Sequence, residues 1–266
     1  MSSFVVDALS YNITGPENAP LVVLIHGIGL NRNIWDSYIP ELAKHRRVLS
    51  YDLPGHGQST VLNKKPELKD LAEQIRFLLN LTGYEQCDLI GFSLGGMINR
   101  RFAMDFCDGT RTLVILNSPH GRTSEQQEQV ESQAQQNILD GPAATIDATL
   151  QRWFTPAFLK NNLSQINLIK KWVLSNNLEN YAHFRWLLAR GVLELIEPKL
   201  PIFKPALVIT CENDRGSTPA MSHAIASEIS GSEINIIPDL QHLGLLEQPE
   251  QFLKPITHFL DQHSPI

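Results

Sequence analysis

Short runs of apolar residues recur along the chain, with helical stretches between them. Each run is rich in Val, Ile and Leu and is followed by Gly, Pro, Asp or Asn. Runs that are apolar on both faces and alternate with helices indicate a mainly parallel sheet covered on both sides. The predicted strands are Leu21–Ile25, Val48–Tyr51, Asp88–Phe92, Leu113–Leu116, Leu207–Thr210 and Ile234–Ile237. The pattern therefore predicts an α/β fold.

Two weaker runs near the N-terminus and two helical patterns complete this core. Phe4–Asp7 and Leu9–Ile13 predict an antiparallel hairpin at one edge of the sheet. Asp70–Leu79 has apolar residues at helical spacing, and residues 94–106 repeat that period.

The alternation stops between Gly121 and Pro201, where several helix-like segments occur without a convincing strand. We interpret residues 121–200 as a helical cap inserted into an α/β core domain made of residues 1–120 and 201–266.

Within the predicted cap, Glu125–Gln136 is dominated by Gln and Glu, so we expect it to pack weakly as a mobile edge. Two later segments, Ile166–Leu174 and Tyr181–Leu188, carry aromatic side chains that either line a pocket or join the cap helices. These aromatic residues are Trp172, Phe184 and Trp186.

Composition and charge exclude several classes of function. The chain has 266 residues, of which 42% are apolar and 19% are charged, as in ordinary globular proteins. Its 22 Lys and Arg against 28 Asp and Glu give a net charge of −6, without basic clusters, so we expect no nucleic-acid partner. No apolar run approaches the roughly 18 to 20 residues that span a bilayer, so we expect no membrane partner. The N-terminus lacks the pattern of a secretory signal, which predicts a cytoplasmic protein.

The three cysteines, Cys87, Cys107 and Cys211, fit neither a disulfide framework nor a zinc pattern. We expect them to be buried free thiols.

The first chemical motif is a G-x-S-x-G segment at residues 91–95. It directly follows a predicted strand and precedes a predicted helix, which is the context that exposes a nucleophilic serine above a sheet. Small residues at Gly91 and Gly95 permit the close backbone approach that such a turn needs. We predict Ser93 as the nucleophile; the alternative is a serine that only caps the helix.

A serine nucleophile needs a base within hydrogen-bond reach and an acid that orients the base. His242 follows the last predicted strand, whereas the other histidines lie on predicted helices, near the termini or before the turn that carries Ser93. His242 is therefore the predicted base. The expected acid is Asp214, on the loop after Leu207–Thr210, with Glu212 and Asp239 as competitors.

The oxyanion hole needs two backbone N–H groups, each contributing about 3 kcal/mol of transition-state stabilisation. We assign them to Leu94, which follows the nucleophile, and to Ile28, in the glycine-containing loop after the first central strand. His26 and His56 have no Cys or acidic cluster near them in sequence to complete a metal site, so we predict no metal.

Together these motifs resemble the α/β-hydrolase superfamily over nearly the whole chain. They are His26-Gly-Ile-Gly, Tyr51-Asp-Leu-Pro-Gly-His-Gly-Gln-Ser59, Gly91-Phe-Ser-Leu-Gly-Gly96, Asp214 and His242-Leu-Gly. Within it, the chain resembles capped serine hydrolases of the 3-oxoadipate enol-lactonase and carboxylesterase type. The resemblance implies an eight-stranded sheet, a helical cap after the sixth strand, no cofactor, and a small ester or lactone as substrate.

The resemblance also implies that a basic cap residue holds a substrate carboxylate. Four arginines are available for this role, namely Arg122, Arg152, Arg185 and Arg190, and Arg185 is preferred because aromatic residues flank it. The predicted substrate-binding residues are His120, Trp153, Arg185 and Trp186.

Other chemistries fit the same scaffold less well. Haloalkane dehalogenases and epoxide hydrolases use an aspartate nucleophile, whereas this chain has Ser93. Carbon–carbon bond hydrolases commonly have Asn and Met beside the serine, and here Phe92 and Leu94 take those places. A carbon–carbon hydrolase, a cofactor-free perhydrolase and a slow-turnover ligand receptor remain alternatives.

Overall fold

A seven-stranded sheet forms the centre of the structure, a computed structural model that describes residues 9–62, 64–196 and 201–264. The strands are β1 (Tyr11–Thr14), β2 (Leu21–Ile25), β3 (Arg47–Tyr51), β4 (Cys87–Phe92), β5 (Thr110–Leu116), β6 (Ala206–Cys211) and β7 (Glu233–Ile237). Their order is β1-β3-β2-β4-β5-β6-β7, and all neighbours are parallel except β1 and β3. The predicted mainly parallel α/β sheet is confirmed.

One strand of the predicted hairpin lies at the edge of the described sheet. The second N-terminal run forms β1, which pairs antiparallel with β3 so that Tyr11 lies opposite Tyr51. The other half of the hairpin, Phe4–Asp7, lies outside the described residues. The described residues therefore contain seven strands rather than eight, and the eighth stays a prediction.

The central strands are buried along their whole length, as expected for a sheet covered on both faces. Most predicted strands are correct to within one residue, but β5 begins three residues earlier than predicted. Its first residues are polar, and the Thr112 hydroxyl donates to Asp88 Oδ1 (2.8 Å). Polar residues interrupt the apolar pattern at the start of β5, and the buried carboxylate of Asp88 on the neighbouring strand accepts a hydrogen bond from one of them.

Helices cover the sheet. They are α1 (Ile39–Leu42), α2 (Leu68–Thr82), α3 (Leu94–Asp105), α4 (Ser124–Asp140), α5 (Ile146–Trp153), α6 (Pro156–Asn161), α7 (Leu163–Leu174), α8 (Leu178–Arg190), α9 (Pro219–Glu228), α10 (Gly244–Glu247) and α11 (Pro249–His263). None of those in the described ranges is long and apolar enough to cross a membrane.

Helices α4 to α8 form a helical segment between β5 and β6, where the predicted cap lies. Its first helix packs along α8, contrary to the expected weak packing. Gln127 Nε2 donates to the carbonyl of Ala189 (2.9 Å), and Glu131 forms an ion pair with Arg190 (3.2 Å). The glutamine-rich helix packs through hydrogen bonds and an ion pair, and the pattern of apolar residues does not predict such contacts.

Aromatic side chains join this segment to the core. The Phe184 ring is fully buried and meets the His56 ring edge-on, with 4.7 Å between centroids. Trp172 is partly buried against the hydrophobic core. Cys87 and Cys211 are buried free thiols, whereas Cys107 is exposed, so the expectation of three buried thiols is wrong at that position.

Candidate active site

Ser93 occupies a strained turn between β4 and α3. Its φ of 55° lies in the left-handed region, which residues other than glycine rarely adopt. A Cβ at Gly91 would lie 2.2 Å from the carbonyl oxygen of Gly95, and one at Gly95 would lie 2.3 Å from that of Ile25. Only glycine fits at these two positions, because the chain segments touch through their backbones.

The Ser93 hydroxyl is not used to cap α3. Ser93 stands at the N-cap position, but its side chain forms no capping hydrogen bond. The residue is largely buried and lines a cavity of about 560 Å³, which suits a small organic ligand.

Asp214 and His242 form a hydrogen-bonded pair in the wall of the same cavity. His242 Nδ1 lies 2.7 Å from Asp214 Oδ2, and the His242 ring is 5.0 Å from the ring of Phe92, the neighbour of Ser93. Asp214 Oδ1 accepts the N–H groups of Gly216 and Ser217, each at 2.9 Å. The other two acid candidates, Glu212 and Asp239, are not part of this pair: Glu212 Oε2 accepts the N–H of Asp239 (3.2 Å).

The surroundings of Asp214 favour its ionised form. Burial by itself raises its pKa, but the charge and hydrogen bond of His242, the Asn117 amide and the Ser217 N–H lower the pKa below its usual value. A carboxylate that accepts four hydrogen bonds while nearly fully buried holds the imidazole in one orientation.

Asn117 is a site residue that the sequence analysis did not find. It directly follows β5, is fully buried, and has a φ of 45°. Its Nδ2 donates to Asp214 Oδ2 (2.9 Å). A signal was present, because the residue follows a predicted strand at the same sheet edge as Asp214 and His242.

The predicted oxyanion groups flank Ser93. A Cβ on Gly27 would lie 3.2 Å from Ser93 Cβ, so the loop that contains Ile28 passes directly over the serine. Ile28 lines the cavity. Leu94 is the first residue of α3, where a backbone N–H has no acceptor within its own helix.

The buried His26 supports that loop, and the buried His56 lies beside it with 5.4 Å between the two ring centroids. His26 Nδ1 lies 2.8 Å from the carbonyl of Gly27, while its Nε2 accepts the N–H of Leu53 (2.9 Å), so the ring is neutral. Burial lowers the pKa of His26 to about 4 and that of His56 to about 3. Within the described ranges, no three His, Cys, Asp or Glu side chains are grouped to hold a metal ion.

The four predicted substrate-binding residues do not all reach the cavity. Trp153, Arg185 and His120 line it, and His120 Nε2 lies 3.0 Å from Glu228 Oε1. Trp186 lies outside the cavity lining; its ring instead lies under the guanidinium of Arg190, 5.8 Å from the ring centroid. Helical periodicity explains this, because adjacent residues on α8 face different directions.

Arginines give the cavity a positive wall. Arg122 and Arg152 line it together with Arg185, and in the described part of the chain none of the three forms an ion pair with Asp or Glu. Burial, followed by the charge of Arg185, lowers the pKa of both Arg122 and Arg152. The Nε of Arg185 is buried and has no hydrogen-bond partner among the residues that the structure describes. Among the described residues, the wall thus holds three guanidinium groups that form no salt bridge with a carboxylate.

A mainly parallel sheet with a serine at a strained strand-to-helix turn is the architecture of an α/β hydrolase. A family model described as alpha/beta hydrolase fold matches residues 20–144. The chain has the α/β hydrolase fold, and the family model, the relatives and the solved structures support a hydrolase of that superfamily.

Relatives match almost the full chain. An (E)-2-((N-methylformamido)methylene)succinate hydrolase of Acinetobacter baylyi is 29% identical, covering 92% of this chain and 91% of the relative. 3-Oxoadipate enol-lactonase 1 of the same organism is 28% identical, covering 95% of this chain and 92% of the relative. A crystal structure of an enol-lactonase from Burkholderia xenovorans LB400 superposes with a TM-score of 0.85 at 27% identity, covering 95% of this chain and 96% of that one.

Proposed function

We propose that this chain is a serine hydrolase that cleaves a small carboxylic ester or lactone through Ser93, His242 and Asp214. The proposal rests on one observation: Ser93, in its strained backbone conformation, lines the same cavity as the hydrogen-bonded residues His242 and Asp214. Nδ1 of His242 lies 2.7 Å from Oδ2 of Asp214. The capping alternative for Ser93 is disfavoured because its hydroxyl does not cap α3.

The reaction follows from the hydrogen bonds. Because Nδ1 of His242 is engaged by Asp214, Nε2 is the nitrogen that takes the Ser93 proton as Oγ attacks the carbonyl carbon. The Ile28 and Leu94 N–H groups hold the negative oxygen that develops. His242 then gives the proton to the leaving oxygen as the ester bond breaks. A water molecule, deprotonated by His242, attacks the acyl-enzyme and releases the acid and free Ser93.

The substrate of this proposal carries a carboxylate of its own. Arg152 lies within electrostatic reach of Asp214 at one end, and Arg185 lies within reach of both Arg152 and Arg122. Partly buried guanidinium groups without acidic partners are costly unless an anion neutralises them. The names of the relatives point the same way, since a succinate derivative and an oxoadipate lactone are carboxylate compounds. We place the carboxylate at Arg152 and Arg185, with the helical segment as the cap.

The test compares monomethyl glutarate with methyl valerate, which has the same chain length and lacks the carboxylate. We expect Ser93→Ala to lower kcat/KM at least about 1,000-fold for any ester that the wild type cleaves. We expect the wild type to prefer the charged ester by about tenfold or more, since one charge-assisted hydrogen-bonded pair is worth at least that factor.

Arg152→Gln removes this preference by raising KM for monomethyl glutarate only. Arg190→Gln is the matched control, because Arg190 is exposed and paired with Glu131 away from the cavity. Turnover that survives Ser93→Ala would refute the nucleophile. If a fluorophosphonate labels Ser93 but neither ester is cleaved, ester hydrolysis is refuted in favour of carbon–carbon cleavage or ligand reception.

A further inference from the structure

The turn between α5 and α6 is attached to the loop that carries His242. The carbonyl of Trp153 accepts the N–H of Leu243, the residue that follows His242, at 2.8 Å. Two residues further on, Thr155 donates its backbone N–H to Glu247 Oε1 (2.8 Å) and its hydroxyl to Glu247 Oε2 (2.6 Å). Both carboxylate oxygens of one glutamate are therefore occupied by one threonine of the helical segment.

The two bonds to Glu247 are charge-assisted. Hydrogen bonds to an ionised carboxylate are short and stronger than neutral ones, and Glu247 is only partly exposed. Glu247 ends the short helix α10, which begins two residues after His242. The bonds therefore bracket the loop between Leu243 and Glu247, leaving it little freedom to move independently of the helical segment.

The same turn also contributes to the cavity. The Trp153 ring lines the cavity, and its centroid is 6.3 Å from that of the His242 ring. A displacement of residues 153–155 would therefore shift a cavity wall and His242 together.

A second attachment joins the helical segment to the loop over Ser93. Asn176, which is buried just after α7, donates from Nδ2 to the carbonyl of Gly29 (3.1 Å), the neighbour of Ile28. The same amide group also reaches the carbonyls of Trp172 and Val173 on α7. The loop with the proposed oxyanion group and the loop with the proposed base thus both contact the helical segment.

We propose that Glu247 and Thr155 are positioning residues: they hold the His242 loop to the α5–α6 turn, so that the orientation of His242 depends on the position of the helical segment. The inference rests on the proposed function, because it assigns these residues to the proton transfer between Ser93 and His242. Neither residue touches the reacting atoms, and their effect is on the geometry of the base.

The principal variant is Glu247→Gln, which keeps the shape but replaces one acceptor oxygen by an NH₂ group and removes the charge. We expect kcat to fall about tenfold or more, with KM within about twofold, because a charge-assisted pair near the base is lost. The rate at which a fluorophosphonate labels Ser93 falls by a similar factor. Amide hydrogen exchange at Leu243 and Thr155 becomes faster, while exchange in β4 stays unchanged.

Thr155 supplies a conservative rescue. Thr155→Ser keeps both donors and retains wild-type kcat, whereas Thr155→Val loses the hydroxyl and behaves like Glu247→Gln. Since that hydroxyl also accepts the N–H of Phe158 at the start of α6, unfolding by urea is measured for each variant, and rates are compared only where the protein is fully folded. Glu250→Gln is the control, because Glu250 is an exposed glutamate nearby.

Reduced stability of Glu247→Gln with kcat and labelling rate equal to those of Glu250→Gln would overturn the proposal, since it would show a purely structural role. A wild type that shows neither Ser93-dependent turnover nor Ser93 labelling would overturn the proposed function, and this inference with it.

Discussion

Asn117 shows how much of the site depends on one side chain that lacks reactivity of its own. It combines a fully buried position, a φ of 45° and a 2.9 Å bond to Asp214, and its buried Oδ1 finds no partner in the described part of the chain. Such strain persists only where the surrounding structure enforces it. The amide is also one of the groups that lower the pKa of Asp214. Asn117 thus supports the acid that orients His242.

Two substitutions at Asn117 test its hydrogen bond to Asp214. Asn117→Gly removes the side chain but allows the positive φ, and we expect kcat/KM to fall about tenfold because one hydrogen bond to a charged group is lost. Asn117→Asp puts a second carboxyl group at hydrogen-bond distance from Asp214, and because two buried carboxyl groups so close do not both ionise, they share a proton. The new O–H group can donate to Asp214 as the amide does, so we expect Asn117→Asp to be more active than Asn117→Gly at acid pH and to lose this advantage as the pH rises and the shared proton leaves. Equal kcat/KM for the two variants at every pH would contradict this role.

At the residue scale, the sequence is most informative where chemistry demands a residue type in a fixed local context. Ser93 is found because its neighbours and flanking elements form one continuous motif. Asn117 and Glu247 lack such a motif, since their partners lie 97 and 92 residues away along the chain. The aromatic character of Trp186 predicts a place in the cavity wall, whereas the helix turns its side chain towards Arg190.

At the scale of elements, the site depends on a close crossing of β4, α3 and the end of β2. A Cβ placed on Gly91 would lie 2.2 Å from a backbone carbonyl oxygen, and one placed on Gly95 would lie 2.3 Å from another. A backbone carbonyl cannot rotate away as a side chain can. The first turn of α3 is therefore pressed against two strands, and this contact holds Ser93 above the sheet edge.

Gly91→Ala should destabilise the protein by about 3 kcal/mol or more, because overpacking against rigid backbone forces the elements apart. Gly83→Ala is the matched control: Gly83 ends α2 with a φ of 77°, and a Cβ there meets nothing within 4 Å. Only backbone strain of about 1 kcal/mol is expected at that position. Urea unfolding of both variants measures the difference, and equal losses would show that the crossing relaxes easily.

Elements are predictable from the sequence where burial dictates their composition. The central strands follow from apolar runs, since both of their faces are covered. The start of β5 and the packing of α4 do not follow, because Asp88 and the carbonyl of Ala189 satisfy their polar groups. These partners become neighbours only when the sheet and α8 have assembled.

At the scale of the whole molecule, two neutral histidines beside the candidate active site affect the free energy of unfolding. His26 and His56 are buried with 5.4 Å between ring centroids, and His56 also contacts Phe184 of the helical segment. The core loops after β2 and β3 and the helical segment meet at this pair. A positive charge on either ring would be placed in the interior, and on His26 it would add a proton to the nitrogen that accepts the Leu53 N–H.

This arrangement predicts a loss of stability in mild acid. Burial lowers the folded-state pKa to about 4 for His26 and to about 3 for His56, whereas the unfolded value is about 6.5. Below about pH 6.5 the unfolded chain therefore binds more protons than the folded one, and the free energy of unfolding decreases as the pH falls towards 4. Each histidine contributes a slope of up to about 1.4 kcal/mol per pH unit in this window.

Urea unfolding between pH 7 and pH 5.5 measures this slope, and we expect a loss of about 2 kcal/mol for the pair. Asp88 acts in the opposite direction, because burial raises its pKa and a buried acid gains stability as the pH falls. His56→Leu isolates the contribution of the histidines. The variant has a lower free energy of unfolding at pH 7, because the contact of Nδ1 with the Pro54 carbonyl is lost. The slope of its free energy of unfolding against pH should be about half that of the wild type. An unchanged slope in His56→Leu would mean that His56 is protonated in the folded protein, and the neutral pair beneath the loops would be refuted.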